Sequence, residues 1–261
     1  MTKETRILIC DDSAFMRMVI KDILDSQNGL VVVGQARDGM EAVEKATQLN
    51  PDIITMDVEM PKLNGLEAMK LITKKMATRV IMVSSLTEEG AEITIEALEN
   101  GAVDFLAKPS GSISTNFRKM GGELISKINS AMLVQASKMS LLRKARVMHK
   151  PVQKTFTSTG KIVLIASSTG GPKALDNVIP QLPRNLPAPV VVVQHMPAGF
   201  TKSLAARLNK ISDIEVREAS EGDILKNSVV YIAPGNYHLG LKNEGSAVKV
   251  YLESSSKING V

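Results

Sequence analysis

Short apolar runs recur through the first 110 residues, each followed by a polar break and then by apolar residues spaced three and four apart. The runs are RILIC at 6–10, LVVVGQA at 30–36, DIITMD at 52–57, RVIMVSS at 79–85 and VDFLAKP at 103–109, and they read as strands. The spacing between them predicts helices. One carries Phe15, Val19, Ile20, Ile23 and Leu24 on one face, one covers Gly39–Leu49, one follows a turn at 62–65, and one covers Glu88–Asn100 with Gly101 as its stop. Strands and helices alternating at this spacing imply an α/β fold, a five-stranded parallel (βα)5 sheet.

Residues 117–147 continue as a Met- and Leu-rich helical pattern that includes Leu124, Ile128, Met132, Leu133, Leu141 and Leu142, and 150–160 is polar with no sustained period. A first domain over 1–125, a helical and basic linker over 126–160 and a second domain over 161–261 follow. The α/β rhythm then resumes. Residues 162–166 read as a buried parallel strand, Ser167, Ser168 and Thr169 lead into Gly170-Gly171-Pro172, and a helix covers 173–178. After the loop PRNLPAP, VVVVQHMP at 190–197 reads as a second buried strand ending in His195. The second domain is expected to be doubly wound α/β, and incomplete.

Composition narrows the class. With 261 residues, 44% hydrophobic and 23% charged, the chain suits about two globular domains. No segment has the plan of a signal peptide and no apolar run approaches about 20 residues, so a cytoplasmic protein without membrane insertion is expected. Cys10 is the single cysteine and reads as a small buried hydrophobe of the first strand. The net charge of +5 invites a nucleic-acid reading, but its distribution opposes it. Between Glu123 and Asp176 lie nine Lys and Arg and no acidic residue, which leaves the rest of the chain at −4. The basicity belongs to a connector, with no zinc-finger spacing, aromatic platform or recognition helix beside it.

Parallel strands end on one edge of their sheet, so Asp11, Asp12, Asp57, Ser84 and Lys108 are expected to converge there. Crowded carboxylates repel unless a cation lies between them, and hard oxygen ligands suit Mg2+. Asp57 could then attack a phosphoryl group, with Lys108 neutralising its oxygens and the Ser84 hydroxyl donating to one. Any one of these carboxylates alone is more often a cap or turn former; five matching strand ends are not.

In the second half, two strand ends present Ser168 and His195 to one edge. The imidazole can take the proton that makes a serine hydroxyl a nucleophile, and backbone amides around Thr169, Gly170 and Gly171 can form an oxyanion hole or simply make the turn. Taken without His195, the turn reads equally well as an anion-binding or purely structural strand-to-helix connection.

Residues 1 to about 125 resemble the receiver domain of bacterial two-component response regulators, on the paired Asp11-Asp12, Asp57 followed by MPKLNG, Ser84 and Lys108-Pro109. The resemblance implies that Asp57 accepts phosphate from a chemotaxis histidine kinase, that Asp11 or Asp12 helps hold magnesium, and that Phe105 is the aromatic position whose rotamer reports phosphorylation. The second half resembles the catalytic domain of the chemotaxis protein-glutamate methylesterases, on IASSTGGP, VVVQHMPAGFTKSLAARL and VVYIAPGNYHL. This resemblance implies Ser168 as nucleophile, His195 as base, and hydrolysis of glutamate γ-methyl esters on chemoreceptor helices through an acyl-enzyme, sometimes with deamidation of receptor glutamines. Arg207, in the matching helix, either helps the acidic receptor surface dock or is a solvated helix face. His149 and His238 match no catalytic role.

The chain also departs from that pattern. The family's orienting aspartate stands in a Gly-rich segment downstream of the histidine, and no such segment precedes Val261; Asp176, Asp213 and Asp223 lie in other contexts. The expectation is a fragment or a natural truncation. An unphosphorylated receiver should restrain the esterase, and a phospho-switched binding module with weak or no esterase activity is the alternative. A DNA-binding response regulator is disfavoured.

Overall fold

The computed structural model describes residues 4–108, 113–133 and 160–255, and the chain divides into two compact units, Met1–Ala145 and Arg146–Val261. The expected linker positions 134–159, with Leu141, Leu142 and His149, lie outside the described residues, as do Pro109 and 256–261.

In the first unit, β1 (Thr5–Cys10), β2 (Leu30–Ala36), β3 (Ile53–Asp57), β4 (Arg79–Ser84) and β5 (Asp104–Ala107) form a parallel sheet in the order β2-β1-β3-β4-β5. The helices are α1 (Ala14–Asp25), α2 (Gly39–Leu49), α3 (Gly65–Lys75), α4 (Glu88–Asn100) and α5 (Ile113–Leu133). Each of the first four starts at a side-chain cap: Ser13, Asp38, Asn64 and Thr87 accept from the amide three residues on. Gly101, at φ 117°, ends α4 as its position in the sequence predicts. Ile20 and Leu24 of α1 pack with Leu124 and Ile128 of α5 over Ile7 and Ile9.

Phe15 departs from expectation. It is exposed, and its neighbour Met16 is the residue buried with Ile20 and Leu24. Positions 16, 20 and 24 are spaced four apart and lie over one another on a helix, whereas 15 sits a further 100° round, so the inward face begins one residue later than the sequence suggests.

The second unit holds β6 (Val163–Ser167), α6 (Gly171–Val178), β7 (Val190–Gln194), α7 (Phe200–Ile211), β8 (Glu215–Glu218), β9 (Val229–Ile232), β10 (His238–Glu244) and β11 (Ala247–Glu253). The first four strands form a parallel sheet in the order β6-β7-β9-β8, and β10 and β11 pair as an antiparallel hairpin. Leu239, Leu241 and Leu252 of the hairpin pack on Val191, Val229 and Tyr231.

β6 is a strand where expected but is not buried: Leu164 is 70% exposed and Val163 41%. The register pairs Leu164 with Val191 and Ala166 with Val193, so these side chains share a face. The hairpin covers that face at Val191, which is 1% exposed, and stops short of Leu164 and Val193. Apolar sequence makes a strand, but a parallel strand is buried only where other elements cover it.

Candidate functional site

β3 delivers Asp57 to the C-terminal edge of the first sheet, and the segment after it is shaped by Gly65. The Gly65 amide donates to the Val58 carbonyl at 3.0 Å, and a Cβ placed on Gly65 would stand 1.8 Å from the Asp57 carbonyl oxygen. Only a residue without a side chain lets the start of α3 fold back this closely onto the end of β3. Lys108, just past β5, is held by its amide on the Ser84 carbonyl at 2.7 Å.

The expected cluster forms. Lys108 Nζ lies 2.7 Å from Asp57 Oδ2 and 3.2 Å from Asp11 Oδ2, and one carboxylate oxygen from each of Asp11, Asp12 and Asp57 falls within 4.8 Å of the others. Asp11 and Asp57 are buried, while Asp12 is exposed. Burial, with the charge of Asp11 adding to it, pushes the Asp57 carboxyl up to about 6 against the opposing effects of Lys108 and the Glu59 amide. Burial also raises Asp11. Burial alone would lower the Lys108 ammonium, but Asp57 and then Asp11 hold it above its ordinary value. Apart from these ion-pair contacts, Asp11 Oδ2 and Asp57 Oδ2 are buried with no hydrogen-bond partner. Two buried carboxylates beside a third, solvent-facing one offer the oxygen donors that suit a hard divalent cation.

Ser84 stands at the same edge, fully buried, with its hydroxyl donating to the Gly90 carbonyl of α4 at 3.1 Å. Phe105 is packed inward, 3% exposed, and the Lys127 ammonium lies 5.4 Å from its ring centroid. Lys127 also pairs with Asp104 at 3.1 Å, a buried contact between α5 and β5 that the sequence did not signal.

In the second unit the register decides the geometry. Ser167 pairs with Gln194, and the His195 amide donates to the Ser167 carbonyl at 3.0 Å, so Ser168 and His195 are the next residues out on adjacent parallel strands. Gly170 takes the left-handed conformation, at φ 73°, as the N-cap of α6, with Pro172 in the first turn. The Gly171 amide closes the turn on the Ser168 carbonyl at 2.8 Å, which assigns Gly171 to the turn and leaves Thr169 and Gly170 as candidate oxyanion donors.

Other sequence candidates take structural places. Arg207 is half-buried and its charge acts on Asp176, whose carboxyl is nonetheless raised by burial, so Arg207 is not a simple solvated face. Asp223 accepts from Arg217 at 3.1 Å and from the Ser220 amide at 2.9 Å. Thr201, fully buried, donates to Glu218 at 2.6 Å and accepts from the Gly235 amide at 3.0 Å, which ties α7 to the loop after β9. Sequence reading passed over Thr201 and also Gln194, whose one signal is its place as an amide between Val193 and His195 in an otherwise aliphatic strand.

Residues 7–114 match the family described as "Response regulator receiver domain", and 163–260 match "CheB methylesterase". The "Protein-glutamate methylesterase/protein-glutamine glutaminase" of Thermotoga maritima is 61% identical over 256 residues, which cover 98% of this chain and 74% of that protein. The chain belongs to that family. The Pyrococcus abyssi protein of the same name is 47% identical, with 99% of this chain and 71% of that protein covered. The crystal structure of the response regulator domain of T. maritima CheB is 68% identical at a TM-score of 0.48, covering 51% of this chain and 99% of that one.

Proposed function

We propose that this methylesterase-family chain hydrolyses glutamate γ-methyl esters on chemoreceptor helices in the cytoplasm, with receptor glutamine deamidation as a second reaction of the same site, under control of phosphorylation at Asp57. Residues 1–125 serve as receiver, 126–160 as linker and 161–261 as the esterase part. The observation that carries the reading is the β6–β7 register, which sets Ser168 and His195 side by side at the strand ends.

In the esterase reaction the His195 imidazole takes the Ser168 proton as Oγ attacks the ester carbonyl. The Thr169 and Gly170 amides, beside the positive end of α6, stabilise the oxyanion, methanol leaves, and water then releases the free glutamate.

At the other site Asp57 accepts the phosphoryl group of a histidine kinase, Lys108 holds its oxygens, and Ser84 exchanges its Gly90 partner for one of them. Asp11, Asp12 and Asp57 would hold a Mg2+ ion, which would supply positive charge where the phosphoryl oxygens gather. Phe105, packed against Lys127 of α5, is placed to pass the change on.

The test is methanol release from methylated chemoreceptor membranes by this chain and by Ser168→Ala. Release by the first and not the second is expected; equal signals would favour a binding module. Removing 1–150 should raise the rate, and no rise would sink the regulatory half.

A further inference from the structure

The Gln194 side chain is 5% exposed at the end of a valine strand, and it uses both ends of its amide. Its Oε1 accepts from the Ser167 hydroxyl at 2.7 Å, and its Nε2 donates to the Ser168 carbonyl at 3.0 Å and, more weakly, to the His195 carbonyl at 3.4 Å. Two carbonyls at one end and a hydroxyl at the other admit only this orientation of the amide. The Ser168 carbonyl therefore has two donors, Gln194 and the Gly171 amide, so the backbone that aims the Ser168 hydroxyl is held from both sides. Gly171 is fitted to the same group: a Cβ there would stand 1.9 Å from Gln194 Oε1.

Burying an amide at the end of a valine strand costs free energy that an aliphatic residue of similar size would avoid, and the three hydrogen bonds offset that cost only in this arrangement. Resting on the nucleophile and base read above, we propose that Gln194 is a positioning residue that fixes the Ser168 turn against the His195 strand end, with Gly171 as the small residue that makes room for it. Gln194 touches no reacting atom. It acts by limiting the excursions of Ser168 Oγ from the imidazole, where an error of about 1 Å can cost a factor of about 100 in rate.

The test uses the full chain and a fluorophosphonate probe that phosphonylates activated serines, with Ser168→Ala as the blank. Rate against probe concentration separates the limiting rate from the half-saturating concentration. Gln194→Met keeps the size and apolar packing but breaks all three bonds. It should lower the limiting rate about 10- to 100-fold, leave half-saturation within about 3-fold, and flatten the pH profile that reports the His195 base. Ser167→Ala, which frees only Oε1, should show a smaller loss in the same direction.

Gly171→Ala should resemble Gln194→Met, and its effect should shrink in a Gly171→Ala/Gln194→Ala chain, where the closest obstructed group is gone and only the Ser167 Cβ at 2.9 Å remains in the way. A limiting rate for Gln194→Met within 2-fold (about the reproducibility of such a comparison), or a loss matched by the fraction unfolded with the pH profile kept, overturns the positioning role. A wild-type chain that is not labelled at Ser168 overturns the nucleophile reading itself, and the role of Gln194 with it.

Discussion

Asp57→Asn should stabilise the first unit at neutral pH in the absence of divalent cations. Asp57 is 2% exposed, and its carboxyl is pushed from 3.8 to about 6, first by burial. The folded chain thus binds this proton more tightly than the unfolded chain does. The stability that the proton contributes is complete below about pH 4 and is lost as pH rises through about 6. A shift of about two units corresponds to about 3 kcal/mol, an upper figure for a site where Lys108 and Asp11 respond to the change. Asparagine has the shape of the neutral acid and leaves Lys108 paired with Asp11, 3.2 Å away. The gain should therefore be about 1–3 kcal/mol at pH 7.5 and near zero at pH 4. Urea unfolding read by pulsed hydrogen exchange on peptides of β1, β3 and β4 isolates this unit from the rest of the chain. Millimolar Mg2+ should then stabilise the wild type and close the gap, with little effect on Asp57→Asn. An Asp57→Asn unit less stable than wild type at pH 7.5 in a chelator, or a gain that does not change between pH 4 and 7.5, would refute the reasoning.

Three further outcomes follow from the packing. Gly65→Ala forces a methyl group against the Asp57 carbonyl oxygen and should cost about 2–4 kcal/mol, read as a lowered melting temperature of the first unit; an unchanged melt would contradict the close approach. Tyr231→Phe removes the hydroxyl that donates to the Ile224 carbonyl and accepts from the Lys226 amide, and should cost about 1–3 kcal/mol in urea unfolding of the second unit. The Cys10 thiol, 1% exposed and raised by burial, should resist a thiol reagent at pH 8 in the native chain and react fully in urea; rapid native reaction would show that β1 is not closed.

The first unit was legible almost to its boundaries because each of its strands is flanked by signals that act locally. Asp38, Asn64, Thr87 and Gly101 fix helix ends within a few residues of themselves, and every strand of that sheet except its edges has neighbours on both sides. The convergence of Asp11, Asp57, Ser84 and Lys108 follows from topology alone, since parallel strands must end together. The second unit was less legible. The strands β8 to β11 are short or form a local hairpin around Gly245, and the sequence reading did not resolve them.

The sequence by itself determined that there are two α/β units, that five residues of chemical consequence sit at strand ends in the first, and that a serine turn and a histidine do so in the second. Periodicity and turn chemistry are properties of neighbouring residues, so they survive in a string of letters. Which apolar run is covered was decided only in three dimensions: Leu164 and Val193 lie on the part of their face that the β10–β11 hairpin, packed over Val191, does not reach. So was the register that seats Ser168 beside His195, and so was the use of Gln194, because hydrogen bonds across 26 and 27 residues leave no periodic trace in the chain that makes them.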